Sequence, residues 1–423
     1  MLSHKYLKCV KCGAEIEDDG IVNGHGCDAL LRAEYADKRF TPREGGGLFK
    51  FRNWLPIGRV LKGSSAPVTY KSEKLARILG LENLFITFSG YWEEKSVLMS
   101  TCTFKECEAY AVLARFPAKP GNVLVVASAG NTARAFIKVA SENGIPLIAV
   151  IPKQNLDNLW LDAKSECVKI IAAGEGCDYS DAISLAGALC EAGGFISEGG
   201  ARNVARRDGM GTVMLSAALC IGDAPDYYFQ AVGSGTGAIA AWEANARLVE
   251  SGYAKKMASL QLSQNAPFLP IYGAWKSGSR EIPGQDGREA KEQIGQILAG
   301  VLSNRNPPYA VRGGLYDALS ATSGDMWAVA NDEIVSARQL FYATEGCDIY
   351  PEAGAALASL IHAKEAGRVG RRDVILLNIT GGGYDNVAAM GKTRRLDADI
   401  IVPGTDIANR NKIEAIANTL KLH

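Results

Sequence analysis

The sequence predicts an α/β protein of two open, mostly parallel sheets flanked by helices, with a small ribbon-like appendage at the N-terminus. Three observations predict it. Continuous apolar, β-branched runs such as "NVLVVASA" (122–129) and "PLIAVIPK" (146–153) alternate with amphipathic helical patterns, as they do where parallel strands are covered on both faces. The 423 residues exceed one ordinary core, so two domains are expected. Residues 1–50 have another texture, with closely spaced cysteines ending in the Gly-rich "TPREGGGLFK", a composition suited to a linker.

The elements follow in order from Val68. The strand "NVLVVASA" runs into the helix "NTARAFIKVASENG"; "PLIAVIPK", "VKIIAAG" and the helix "SDAISLAGALCEAG" come next. The pattern resumes with the strand "DYYFQAV", the turn "GSGTG" and the helix "AIAAWEANARLVESG". After them come the strand "MASLQLSQ", a helix around "PEAGAALASLIHAKEAG", and a late strand "DVILLNIT" that enters "GGG". The segment from Lys276 to Tyr316 is polar, broken by Gly and Pro, and yields no assigned element. The expected division is 1–50 as a cysteine-containing ribbon-like segment and 100–210 as a smaller α/β domain with the lysine and asparagine loops. Residues 51–99 and 211–423 then make a larger α/β domain with the phosphate loop.

Charge excludes several partners. Lys and Arg total 46, as do Asp and Glu, so no electrostatic footprint for nucleic acid or an anionic membrane exists at whole-chain level. The opening "MLSHKYLKCVKCGAEIEDDG" has no basic region followed by an apolar run, and no window reaches the apolar length of a membrane helix. A cytoplasmic chain acting on small molecules is expected, as a homo-oligomer, dimer or trimer. Ten cysteines scattered without a dense framework suit reduced thiols better than a disulfide scaffold.

In open α/β sheets ligands lie beyond the carboxyl ends of strands, where helix-start N–H groups converge. Four segments occupy that position. Ser128, Ala129, Gly130, Asn131 and Thr132 follow the strand "VLVVA", where small residues and exposed N–H groups suit a carboxylate and Asn131 adds an amide. Gly233, Ser234, Gly235, Thr236 and Gly237 put three glycines and two hydroxyls at a helix start, a cradle for phosphate. The cradle lacks both the lysine of a nucleotide P-loop and the spacing of the dinucleotide fingerprint. Thr380 ends "VILLNI" before Gly381, Gly382 and Gly383, offering a hydroxyl to a ring heteroatom. In "STCTFKECEAY", Lys105 follows Ser100, Thr101 and Thr103. By itself it reads as a snorkelling lysine at a helix start. Beside the other three segments it reads as a Schiff-base lysine.

Together these are the parts needed to hold pyridoxal phosphate. The order "TFK", "SAGNTA", "GSGTG", "EGCDIYPEAGAALA", "NITGGG" resembles the β-family (fold type II, tryptophan-synthase-β-like) of pyridoxal-phosphate enzymes, threonine synthases especially. The resemblance covers the chain from about Val68 to Asn386. Within that group the likeness is strongest to the cysteate synthases, the threonine-synthase-like enzymes of coenzyme M biosynthesis in methanogens. It implies that Lys105 forms the Schiff base, that Asn131 hydrogen-bonds the cofactor's phenolic oxygen, that Gly233–Gly237 hold its phosphate, and that Thr380 faces the pyridine nitrogen. It also implies a β-replacement on O-phosphoserine with sulfite as the acceptor, without a metal.

Departures from the pattern bear on the substrate. Threonine synthases commonly read "TGSFKDR" around the lysine, whereas this chain has Thr101-Cys102-Thr103-Phe104-Lys105-Glu106-Cys107. Arg134 adds a guanidinium one turn into the asparagine-loop helix. It reads either as a surface arginine or, with Thr101 and Thr103, as a ligand for a tetrahedral oxyanion. Threonine synthase acting on O-phosphohomoserine, an O-phosphoserine-dependent cysteine synthase and a ligand-sensing relative remain alternatives, as does a ribbon-centred interaction protein. Cys9, Cys12, His25 and Cys27 have the donor types for zinc, but one residue separates His25 from Cys27 where a ribbon expects two. A ribbon fold with its metal left open is expected.

Overall fold

The structure is a computed structural model that describes residues 4–285 and 287–420. Its larger sheet has six strands in the order Asp325–Val329, Ser259–Asn265, Tyr227–Ala231, Val374–Ile379, Asn83–Phe88, Val68–Lys71. All neighbours are parallel except the outermost pair, Val68–Lys71 with Asn83–Phe88. The smaller sheet has five parallel strands in the order Ile196–Ser197, Leu124–Ala127, Leu147–Pro152, Val168–Ala173, Ile400–Val402. Strands such as Leu147–Pro152 are buried along their whole length, which is why they read as unbroken apolar runs rather than alternating ones. Among the described residues, no helix is long and apolar enough to cross a membrane.

Two features of the chain path correct the expected boundaries. The strand Ile400–Val402 joins the smaller sheet beside Val168–Ala173, and Ile413 and Ala417 of the last helix pack with Ala182 and Leu185 of the helix Tyr179–Gly193. The end of 211–423 therefore belongs with the smaller sheet. A three-residue strand is too short for its periodicity to say which sheet it joins. The Gly-rich stretch is also no free linker. Within it, Leu48 and Phe49 enter the core under the smaller sheet, and directly after it Phe51 and Trp54 enter the core shared by the ribbon and the larger sheet.

The N-terminal ribbon is a three-stranded antiparallel sheet, Glu15–Ile16, His4–Cys9 and Leu31–Tyr35. It docks on the helix Val204–Ile221 through buried ions: Arg207 donates to the Leu31 carbonyl, and Tyr35 donates to Asp208 at 2.6 Å. It also grips the end of the helix Lys105–Arg115, because Arg115 forks onto Asp18 at 2.6 and 2.9 Å. Burial works to raise the Asp18 carboxyl, but hydrogen bonds from His4 and Arg115 outweigh it and hold the group at about 2.

A carboxyl lowered in the folded state adds stability above its unfolded value of about 4 and loses it as pH falls. The shift is worth about 2–3 kcal/mol at neutral pH, and denaturant melts should show it disappearing between pH of about 4 and about 2. Asp18→Asn should cost about 3–5 kcal/mol at pH 7, since it strands a buried guanidinium. It should also flatten that acid limb; an unchanged limb in the variant would assign the acid sensitivity elsewhere.

Candidate active site

Chain order reverses beside Val374–Ile379, whose neighbours come from before and after the excursion through the smaller sheet. Such a switch point leaves a crevice at the strand ends. A cleft of about 860 Å³ opens there. Both sheets line it: Ser128–Thr132 from the smaller, and Gly233–Gly237 and Thr380 from the larger.

Lys105 is the first residue of the helix Lys105–Arg115, and its side chain reaches the cleft with 22% exposure. Its Nζ lies 3.3 Å from Glu108 Oε2, one helical turn on, and over the Phe104 ring at 4.7 Å. Glu108 is fully buried. Its other oxygen accepts from the Thr132 hydroxyl at 2.9 Å and lies 3.4 Å from Arg206 Nη1, while Arg206 forks onto Glu198 at 2.6 and 2.8 Å. Two cations and two carboxylates thus alternate from the amine inward, so neither buried carboxylate lacks a partner.

The loop that presents Lys105 is stitched to the end of Val374–Ile379. Phe104 N–H donates to the Thr380 carbonyl at 2.9 Å, and Gly382 N–H donates to the Cys102 carbonyl at 3.1 Å. Cys102 adopts a left-handed conformation with φ 55°, where the commoner motif has glycine. A Cβ on Gly381 would stand 2.8 Å from the Cys102 carbonyl, and one on Gly382 or Gly383 would collide with the carbonyl of Asp348 or Tyr91. These glycines serve backbone-to-backbone packing. Thr380 beside them keeps its place in the cleft lining.

Ser128 closes the asparagine loop by accepting from the Gly130 and Ala133 N–H groups, each at 2.9 Å. Gly130 has φ 147°, and a Cβ there would press Asn158 at 2.8 Å. The helix Asn131–Asn143 then begins at the cleft, with the first-turn N–H groups that have no intrahelical acceptor. Asn131 Nδ2 donates one hydrogen to Glu352 at 3.1 Å and carries a second. Glu352 lines the cleft; burial pushes its carboxyl up, against the opposing influence of Arg134, Asn131 and Lys105.

Arg134 has a different place from the one expected. It is buried and spends its guanidinium inside the protein, donating to the Thr101 carbonyl at 2.9 and 3.2 Å, the Asn158 carbonyl at 2.6 Å and Asn131 Oδ1 at 2.9 Å. The Trp160 ring covers it at 4.2 Å. Thr101 is equally occupied, its hydroxyl and N–H both donating to Glu106 at 2.8 and 2.7 Å. Neither residue lines the cleft, so the expected substrate contacts of Arg134 and Thr101 are corrected to loop-holding ones. Thr103 does line it, along with Ser128, Ala129, Gly130, Asn131 and Thr132.

The glycine loop opens the helix Thr236–Glu250, with Gly235 at φ 76° and the Ser234 and Thr236 hydroxyls 2.8 Å apart. A Cβ on Gly237 would meet Gln230 Nε2 at 2.8 Å, and one on Gly233 would meet Leu302 Cα at 3.0 Å. The cradle therefore requires bare backbone. Packed against this loop and also lining the cleft stand Val301–Asn304, from the segment that had no assigned element; it contains the helix Arg288–Gln296. Sequence reasoning also missed Glu108, Arg206 and Glu352. Glu108 carried one signal, its spacing of three from Lys105 on a helix. The other two reach the cleft only through tertiary packing. Cys9, Cys12, His25 and Cys27 lie in the ribbon, outside it.

This arrangement fits pyridoxal phosphate. One cleft gathers an amine, a glycine-bared anion cradle at a helix N-terminus, a spare amide hydrogen and a hydroxyl at a strand end, which match the cofactor's aldehyde, phosphate, phenolic oxygen and ring nitrogen.

The sequence profile of the family described as pyridoxal-phosphate dependent enzyme matches residues 94–381. The cysteate synthase of Methanosarcina acetivorans is 48% identical over 404 residues, covering 95% of this chain and 97% of that protein. The cysteate synthase of Methanoculleus marisnigri is 50% identical over 391 residues, covering 92% and 90%. Among solved structures, maize serine racemase matches 77% of this chain and 92% of its own with a TM-score of 0.59 at 16% identity. Threonine deaminase isoform 2 of Solanum lycopersicum matches 79% and 91%, with a TM-score of 0.54 at 16% identity. Those two share the fold of the β-family. Identity near one half, kept from end to end of the chain, says more: it belongs to the cysteate synthase family of pyridoxal-phosphate-dependent enzymes.

Proposed function

We propose that the protein replaces the phosphate of O-phospho-L-serine with sulfite, giving L-cysteate and inorganic phosphate. The observation that carries the reading is near-half identity to curated cysteate synthases over almost the whole chain, around a cleft whose parts fit pyridoxal phosphate. In the balanced reaction the C–O bond at Cβ breaks with its electrons leaving on phosphate. A C–S bond forms there from the sulfite lone pair, and the Cα proton is removed and then restored.

When bound, pyridoxal phosphate supplies a sink for the electrons of the Cα–H bond. The chain supplies the rest. Lys105 Nζ is the base that takes the Cα proton and the acid that returns it. Glu108, 3.3 Å away and buried, gives the ammonium form a partner while Lys105 holds that proton. The first-turn N–H groups of Asn131–Asn143 receive the substrate carboxylate, and Ser128 keeps that turn open by satisfying two neighbouring amides itself. Gly233–Gly237 and the start of Thr236–Glu250 would hold the cofactor phosphate, and Asn131 and Thr380 would supply the amide and hydroxyl that meet its ring. Lys105 and Arg206 are the cations in the cleft lining. With Arg134 committed elsewhere, Arg206 is the guanidinium in the cleft lining; Glu198 holds its Nε–Nη2 fork, and its charge and remaining Nη hydrogens meet the departing phosphate and then sulfite.

Three outcomes test this reading. Borohydride reduction should fix the cofactor on the peptide bearing Lys105, and Lys105→Ala should lose both the fixed cofactor and the visible absorbance. Incubation of holoenzyme with O-phosphoserine should yield cysteate only when sulfite is present. Comparable threonine formation from O-phosphohomoserine, or cysteine from O-phosphoserine and sulfide, would replace the reading with one of those activities.

The two arginines should separate. Arg206→Lys keeps charge but loses both the fork onto Glu198 that orients the side chain and the spare Nη hydrogens, so KM for both O-phosphoserine and sulfite should rise roughly tenfold or more with the cofactor spectrum retained. Arg134→Ala should lower thermal stability by about 3–5 kcal/mol and weaken cofactor retention. A selective rise in sulfite KM in Arg134→Ala would restore Arg134 as the oxyanion ligand.

A further inference from the structure

The ribbon carries a constellation that the cleft does not use. The turn between His4–Cys9 and Glu15–Ile16 presents Cys9 and Cys12, and the loop leading to Leu31–Tyr35 presents His25 and Cys27. One donor atom from each of the four lies within 4.8 Å of the others. Cys12 Sγ and His25 Nε2 are 3.7 Å apart. Tetrahedral zinc, with Zn–S of about 2.3 Å and Zn–N of about 2.0–2.1 Å, places a thiolate and an imidazole about 3.6 Å apart.

The one-residue step between His25 and Cys27 speaks against a site in the sequence, and the fold removes that objection. Gly26 takes φ 84° between them, a left-handed turn open to glycine, and both side chains meet the Cys9–Cys12 turn. That turn is itself closed by Gly13 at φ 75°, whose N–H donates to the Cys9 carbonyl at 3.0 Å. All three cysteines are free thiols. Cys9 is buried and Cys12 exposed, so the group stands at the surface with an open path for an ion.

We propose that Cys9, Cys12, His25 and Cys27 form a closed structural site for one zinc ion. Three thiolates and one imidazole fill a tetrahedron, leave no position for substrate, and select a soft divalent ion over magnesium or calcium. Binding displaces the thiol protons to solvent, with no change of oxidation state. The site lies at the root of the docking loop. Directly after Cys27, Asp28 accepts from Arg202 at 2.7 Å, Leu30 N–H donates to the Arg312 carbonyl at 2.9 Å, and the Leu31 carbonyl accepts from Arg207. A ribbon of three short strands has little core of its own, and the ion fixes the loop through which it grips the larger domain.

The test uses full-length holoenzyme purified without a metal-affinity tag and kept reduced. Elemental mass spectrometry should find about one zinc per chain, retained after the cofactor is stripped with hydroxylamine. Cobalt exchanged into the protein should give the visible bands of a tetrahedral thiolate site. Cys12→Ser and Cys27→Ser should each lower zinc roughly tenfold or more, while Cys220→Ser, which alters an exposed cysteine outside the ribbon, should leave it unchanged. If the ribbon variants fail to fold, titration of the unaltered protein with a mercurial decides: zinc release must track modification of Cys9, Cys12 and Cys27 by peptide mapping. Less than about a tenth of a zinc per chain, unchanged zinc in Cys12→Ser, or release that does not follow those thiols overturns the proposal. The measurement is independent of the cleft's substrate, so its failure would leave that reading standing.

Discussion

Everything at the cleft depends on where one loop is held, the residues that present Lys105. Its carbonyl at Thr101 takes two hydrogen bonds from the buried Arg134 guanidinium, and its Cys102 and Phe104 backbone groups pair with Gly382 and Thr380. A charged donor to a buried carbonyl is worth more than a neutral one and is costly to lose. The same guanidinium reaches Asn158 and Asn131, so one side chain sets the positions of the lysine loop, the asparagine loop and the wall behind them. The left-handed Cys102 is sustained in this setting because the surrounding pairing over-determines it.

A second layer is electrostatic. Lys105, Glu108, Arg206 and Glu198 form an alternating chain in which each buried carboxylate touches a cation. In such surroundings the lysine amine can gain or give a proton without leaving a lone charge in a low-dielectric wall. Glu352 across the cleft is held differently. Burial raises its carboxyl, and its contact to Asn131 aligns the amide expected to reach the cofactor. Glu108 behind the cleft wall and Glu352 in its lining thus have different environments, one ion-paired and one facing an amide.

The ribbon couples these parts to the outside of the molecule. Arg115 ends the lysine helix on Asp18, while Arg207 and Asp208 of the helix Val204–Ile221 meet Leu31 and Tyr35. The ribbon's apolar side, Leu7, Leu30 and Leu31, is continuous with the core of the larger domain. It is a brace between the lysine helix and the larger domain rather than a tethered module.

The sequence by itself determined what local pattern can carry. Fully buried parallel strands have to be continuous apolar runs, and a phosphate cradle at a helix start has to be glycine with small hydroxyls, so the two sheets, Lys105, Asn131, Gly233–Gly237 and Thr380 were legible as strings. Tertiary structure decided whatever depends on partners distant along the chain. Arg134 and Arg206 are alike as letters; one faces carbonyls and the other the cleft because of what packs around each. Glycines 381–383 follow Thr380 for no reason a local pattern shows: their small size is demanded by Tyr350, Asp348 and Tyr91, up to about 290 positions away. The strand Ile400–Val402 and the wall Val301–Asn304 gave no local signal, since their places are fixed by pairing and docking. Spacing alone counted one residue too few between His25 and Cys27, whereas a left-handed glycine brings both donors to Cys9 and Cys12. In each case the decisive quantity is a distance across the fold, which periodicity and composition do not encode.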